Sequence, residues 1–224
     1  MKLLGYLQSL LSTVYDLNDV PDVRSFVFSD RELLRELTHG RDYVSTTESL
    51  LIAEQDSELF MSLFLNDELL ARLKRTNPVR SLDADNANDF WAALEGVSHF
   101  VYVANKASQD RRFSLLELEL QAEIDKFIAS LFLLRKQGKR DFLGGMHRVL
   151  FERTRLVAGL DVKTWLRYHS ANAYAARYCW QLFMQRGWLT ARCLPTSELR
   201  AFYDLSHPSK IRHIDNSLYG LSNA

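Results

Sequence analysis

The chain has 224 residues, 47% of them hydrophobic and 25% charged, with 28 basic side chains balanced by 28 acidic ones. Its 13 Phe, 9 Tyr and 4 Trp, with no long polar tract, exclude disorder as the main state, and two cysteines are too few for a disulfide framework. No run of about 18 uncharged apolar residues occurs, so no membrane-spanning helix is expected.

In chain order, Leu3, Leu4, Leu7, Leu10, Leu11 and Val14 form one apolar stripe at helical spacing. Gln8, Ser9, Ser12 and Thr13 interrupt the uniformly apolar stretch that a signal peptide needs, so a docked helix in a cytoplasmic protein is expected. Val23 to Phe28 alternate like a strand, and Ser29 or Asp30 caps a short helix carrying Leu33, Leu34 and Leu37. Two apolar runs, Leu50 to Ala53 and Leu59 to Leu65, flank the polar turn Glu54 to Glu58 and read as a β-hairpin. Asn66 then opens a helix with Leu69, Leu70 and Leu73 on one side. Residues 1–75 therefore read as a small α+β region, and the polar stretch 76–88 as a boundary.

From residue 89 to 224 the pattern is that of a bundle of four or five helices, in one unit with residues 1–75 or apart from them. Helices are expected over 90–107, from Ser114 to Leu134, around His147 to Arg155, from Lys163 to Arg186, and briefly from Ser197. Gly138 and the Gly144-Gly145 pair punctuate the chain, and the tail after His207-Pro208 reads as irregular. The fold class is α+β, predominantly α, with a two- or three-stranded antiparallel sheet. The bundle core is expected to contain Leu94, Val97, Leu116, Leu120, Ile124, Phe127, Leu131, Phe151, Ala175, Tyr178 and Leu182.

Zero net charge conceals an asymmetry. Residues 1–125 carry 12 Lys+Arg and 22 Asp+Glu, a net −10, and the remainder carries the opposite. The halves either attract each other within the fold or present a basic C-terminal face to an anion, a nucleic acid or an acidic partner.

Glu95 and His99 stand four apart on one helix, and Glu119 and Glu123 four apart on the next. The short Ser108 to Phe113 link predicts antiparallel packing, which brings the middles of these helices together. Carboxylates and an imidazole projecting between two helices can hold a divalent metal. The bland alternative is a solvated acidic face with Lys126 relieving repulsion. His147 and Arg148 follow the glycine pair at an expected helix start, where free backbone N–H groups favour anions. No Gly-x-Ser-x-Gly elbow, phosphate-cradling loop or zinc-ligand spacing occurs. Cys179 reads as core and Cys193 as more accessible.

Leu94-Glu95-Gly96-Val97-Ser98-His99-Phe100 and Leu116 to Phe127 resemble an uncharacterised family of bacterial proteins. The resemblance covers the central third and implies a bacterial, cytoplasmic setting without supplying an activity. By elimination, the leading expectation is a non-enzymatic interaction or adaptor protein with a protein partner or a second copy of itself, and no cofactor. The alternatives are a metal-dependent enzyme using Glu95, His99, Glu119 and Glu123, and nucleic-acid or anion binding by the basic half.

Overall fold

In the computed structural model, which describes residues 2–39, 47–56, 58–152, 161–185 and 194–219, the leucine stripe of the first residues forms helix α1 (Lys2–Tyr15). Leu4, Leu7, Leu11 and Val14 are buried, as an amphipathic helix on a core requires. The chain doubles back at residues 16–22 and is tied down by Gln8, whose Nε2 donates to Pro21 O and whose Oε1 accepts from Val23 N.

Val23–Ser25 forms a single 3-10 turn capped by Asp22, so the expected strand shortens to β1 (Val27–Phe28). Asp30 caps α2 (Arg31–Leu37), and the hairpin appears as β2 (Glu48–Gln55) and β3 (Glu58–Leu65). The sheet order is β1-β3-β2. β2 and β3 are antiparallel, but β1 runs parallel to β3, so the sheet is mixed rather than wholly antiparallel. The intervening α2 makes this possible, since a parallel pair cannot be joined by a tight turn.

Asn66 caps α3 (Asp67–Arg75) through Glu68 N. The polar stretch that follows is fastened on both sides. Arg72 forms a two-pronged ion pair with Asp89, and Gln137 accepts from Leu82 N and donates to Pro78 O.

Two 22-residue helices, α4 (Ala87–Ser108) and α5 (Leu115–Lys136), form the centre. The pairs Trp91–Ser130, Ser98–Asp125 and Tyr102–Glu117 show that they run antiparallel, as their short link requires. They are followed by α6 (Leu143–His147), a π-helical turn (Arg148–Glu152), α7 (Val162–Gln185), α8 (Thr196–Asp204) and α9 (His207–Tyr219). The chain is thus α+β and predominantly α. Of the expected bundle core, every residue is buried except Leu116, which is partly buried against it.

Three expectations are corrected. Gly144 and Gly145 lie inside α6 rather than before a helix, and His147 is its last residue. The tail is a helix: Pro208 sits in its first turn, where its missing N–H costs nothing. The acidic face of α5 is not solvated, because Glu117, Glu119 and Asp125 are all buried. The expected ends at Arg155 and Arg186, and Cys193, lie outside the described residues. Among the described residues, no helix is long and apolar enough to cross a membrane.

The sheet meets the bundle at Gly96. A Cβ there would lie 2.8 Å from Leu63 Cδ1 and 3.2 Å from Glu48 Oε2. Replacing Gly96 with Ala would gain about 1 kcal/mol of helix propensity and lose it to this clash. Gly96→Val is therefore expected to destabilise by about 1–3 kcal/mol in urea unfolding, with Gly96→Ala nearer neutral. Equal stability of Gly96→Val and wild type would remove the close-approach account.

Candidate metal centre

Consecutive residues of a helix point about 100° apart, so neighbours in sequence serve different sides. On one side of the α4–α5 pair, Asp125 accepts from Tyr15 Oη (2.5 Å), Ser98 Oγ (2.5 Å) and Gln121 Nε2 (3.0 Å). Burial nonetheless pushes the Asp125 carboxyl up to about 6, against the pull of these donors. Gln121 Oε1 in turn accepts from Lys210 of α9, which is 0% exposed and also donates to Tyr203 O. Burial pushes the Lys210 ammonium down to about 7, although Glu117, Asp125 and Asp204 counter part of that cost.

On another side lie Glu95 and His99 of α4, with Glu119, Glu123 and Lys126 of α5. One ligand atom from each of Glu95, His99 and Glu119 falls within 4.8 Å of the other two. His99 is 6% exposed; its Nε2 lies 3.4 Å from Glu119 Oε2 without forming a hydrogen bond. Arg167 of α7 approaches the other oxygen of Glu119, with Nε 3.5 Å from Oε1. Lys126 bridges Glu95 (2.5 Å) and Glu123 (2.8 Å). Glu123 is therefore held by Lys126 and is not one of the three converging groups.

A fourth carboxylate comes from the sheet. Glu48, at the start of β2, shares the α4-facing side of the hairpin with Leu63 and Leu65, and its Oε2 packs against Gly96, 3.2 Å from where a Cβ would stand. This oxygen is buried without a hydrogen-bond partner. Sequence reasoning missed Glu48 because it lies 47 positions before Glu95. The available signal was the mid-helix glycine beside Glu95, which weakens a helix and marks a close approach.

The electrostatics follow from crowding. Burial and then Glu95 push Glu48 up to about 8. Burial disfavours a charged His99, but Glu119, Glu48 and Glu95 together outweigh it and raise the imidazole to about 9. Burial likewise opposes ionisation of Glu95, yet Lys126 and His99 leave it below the usual carboxylate range. Four carboxylates (Glu48, Glu95, Glu119, Glu123) thus face two lasting cations, Lys126 and Arg167. With every acid ionised and His99 neutral the group has an excess of two negative charges, which two protons or one divalent ion would balance.

The other expected sites are dispersed. His147 Nε2 donates to Ala176 O (2.9 Å), and its ring packs among Phe127, Phe151 and Trp180. Arg148 points elsewhere, 3.8 Å from Glu152. The two side chains therefore do not converge, and both lie within a helical run that continues to Glu152, past the first turn where free N–H groups are found. Arg153, Arg155, Arg186 and Arg192 of the basic half lie outside the described residues. Contacts Arg167–Glu119, Lys126–Glu95 and Arg200–Asp16 join the basic half to the acidic one.

The two buried layers respond oppositely to pH. His99 titrates higher in the fold than in the open chain, so its contribution is complete below about pH 6.5 and is lost as pH rises through about 9. Lys210 titrates lower in the fold, so its burial cost fades as pH rises from about 7 towards 10.5. In urea unfolding with chelator present, wild type is expected to lose stability relative to His99→Gln over pH 6.5–9, and to gain relative to Lys210→Met over pH 7–10. Parallel pH profiles for either pair would contradict the assignment. Compared with known proteins, the chain matches no family model, no curated sequence and no solved structure, so the chemistry of this cluster carries the functional reading.

Proposed function

We propose that the protein binds one divalent metal ion between α4, α5 and the sheet, with Glu95, His99 and Glu119 as ligands and Glu48 within reach as a fourth. The observation that carries this is the convergence of three donor atoms within 4.8 Å, with the buried His99 Nε2 and Glu48 Oε2 making no hydrogen bond. Two ligands on one ion sit at most about 4.4 Å apart, twice a bond of about 2.2 Å, so a small inward movement of the side chains completes the site. One imidazole with two or three carboxylates suits Mn, Fe(II) or Zn better than Ca or Cu(I). Such a donor set leaves positions for water or substrate, as metal-dependent catalysis needs. The cytoplasmic setting implied by the sequence resemblance accords with this reading.

Chelator-stripped protein is expected to take up about one equivalent of Mn²⁺ or Zn²⁺ in calorimetry, with affinity rising with pH as ligands lose protons. His99→Ala and Glu119→Gln are each expected to weaken binding by at least about tenfold, and Glu123→Gln far less. Metal-free purified protein whose melting is unmoved by either ion would end the proposal.

A second reading, an interaction protein that pairs with its own kind, is supported by the outer half of the hairpin. Ile52, Leu59 and Phe60 (52% exposed) are open to solvent, and β2 is the sheet's edge, where unpaired backbone can accept another strand. Mass measurement in solution is expected to show a dimer that Phe60→Glu weakens; a monomer at all concentrations would remove this reading.

A further inference from the structure

We infer that the exogenous ligand of this metal is an oxyanion, the carboxylate or phosphate of a small molecule, clamped by Arg167 beside Tyr168. The inference rests on the metal reading and names the chemistry of what binds there. Arg167 keeps one uncommitted donor: its Nε is buried, makes no hydrogen bond, and stands 3.5 Å from Glu119 Oε1. A guanidinium is a permanent cation with a planar fork of donors that matches two oxygens of one oxyanion. Lys126, by contrast, is committed by short bonds to Glu95 and Glu123.

Position selects Arg167 as well. His99 and Glu119 lie deepest, while the Arg167 side chain keeps 22% of its surface in solvent, so a ligand arriving from outside meets it before the ion. Tyr168 lies next to it, with the guanidinium carbon 5.1 Å from the ring centre. Burial, with Glu119, Glu95 and Glu48 adding to it, raises the Tyr168 hydroxyl to about 12, so it stays protonated at neutral pH.

The order of binding follows from charge. Without the ion, the surrounding carboxylates repel any anion. Once the ion draws on Glu119, that carboxylate attracts Arg167 less, and the guanidinium can turn its free donor to an oxygen bound at the metal. Anion binding is therefore metal-dependent.

The test is calorimetric titration of inorganic phosphate and, separately, acetate into the full chain, stripped of metal and then loaded with Mn²⁺, for wild type, Arg167→Gln and Arg167→Lys. Wild type is expected to bind at least one of the two anions only when Mn²⁺ is present, and the tighter of the two identifies the class. Arg167→Gln is expected to weaken that anion at least about tenfold without weakening Mn²⁺, with Arg167→Lys between. Should Arg167→Gln fail to fold, Arg167→Lys decides, because it keeps the charge and loses the fork. Equal anion affinity in wild type and variant, or no anion binding to Mn²⁺-loaded wild type, overturns the inference and leaves the metal reading standing. Failure of wild type to bind Mn²⁺ removes both.

Discussion

Burying several carboxylates between two packed helices is the constraint around which this molecule is arranged. Each ion moved out of water costs several kcal/mol unless opposite charge and hydrogen bonds replace its hydration. Lys126 meets two of the acids at 2.5 and 2.8 Å, and Arg167 and His99 approach the two oxygens of a third. Compensation is therefore strong at the Glu95–Lys126–Glu123 end and weak at the Glu119 end. It is weakest at Glu48, whose buried oxygen has no hydrogen-bond partner. This end carries the negative charge that protons on Glu48 and His99 or, in the proposal above, a divalent ion would balance.

Geometry permits the cluster through one missing side chain. Gly96 lets the β2–β3 hairpin lie close to α4, bringing Leu63 into the core and Glu48 to the acids. α7 closes the cluster with Arg167, and α9 contributes Lys210 to the second buried layer around Asp125. The sheet and the last helices are thus joined to α4 and α5 by polar contacts as well as by the leucine-rich core. The paired helices keep the two layers apart because His99 follows Ser98 and Lys126 follows Asp125, turning adjacent side chains to different sides.

Much of the fold was legible in local pattern. Helical spacing of leucines located α1 and α5, and the capping residues Asp30, Asn66 and Ser114 act as their chemistry suggests. The failures have physical causes. β1 shortens because Asp22 caps a 3-10 turn where alternation suggested a strand. The glycine pair 144–145 stays helical because two glycines weaken a helix without forbidding it. The tail folds because Ile214 and Lys210 bury against earlier helices, a gain invisible in a polar stretch read alone.

The candidate site divides in the same way. Sequence by itself determined that Glu95 with His99, and Glu119 with Glu123, would share helix faces, since a spacing of four residues is close to one turn. It also determined that a short link would set the two helices antiparallel. Only the tertiary structure decided that Glu119 turns inward, that Lys126 reaches Glu95 as well as its helix neighbour Glu123, and that Glu48 and Arg167 join from a strand and a distant helix. Spacing along a chain fixes direction around one helix, whereas burial and partnership depend on which surfaces pack together, and that is settled by the whole core.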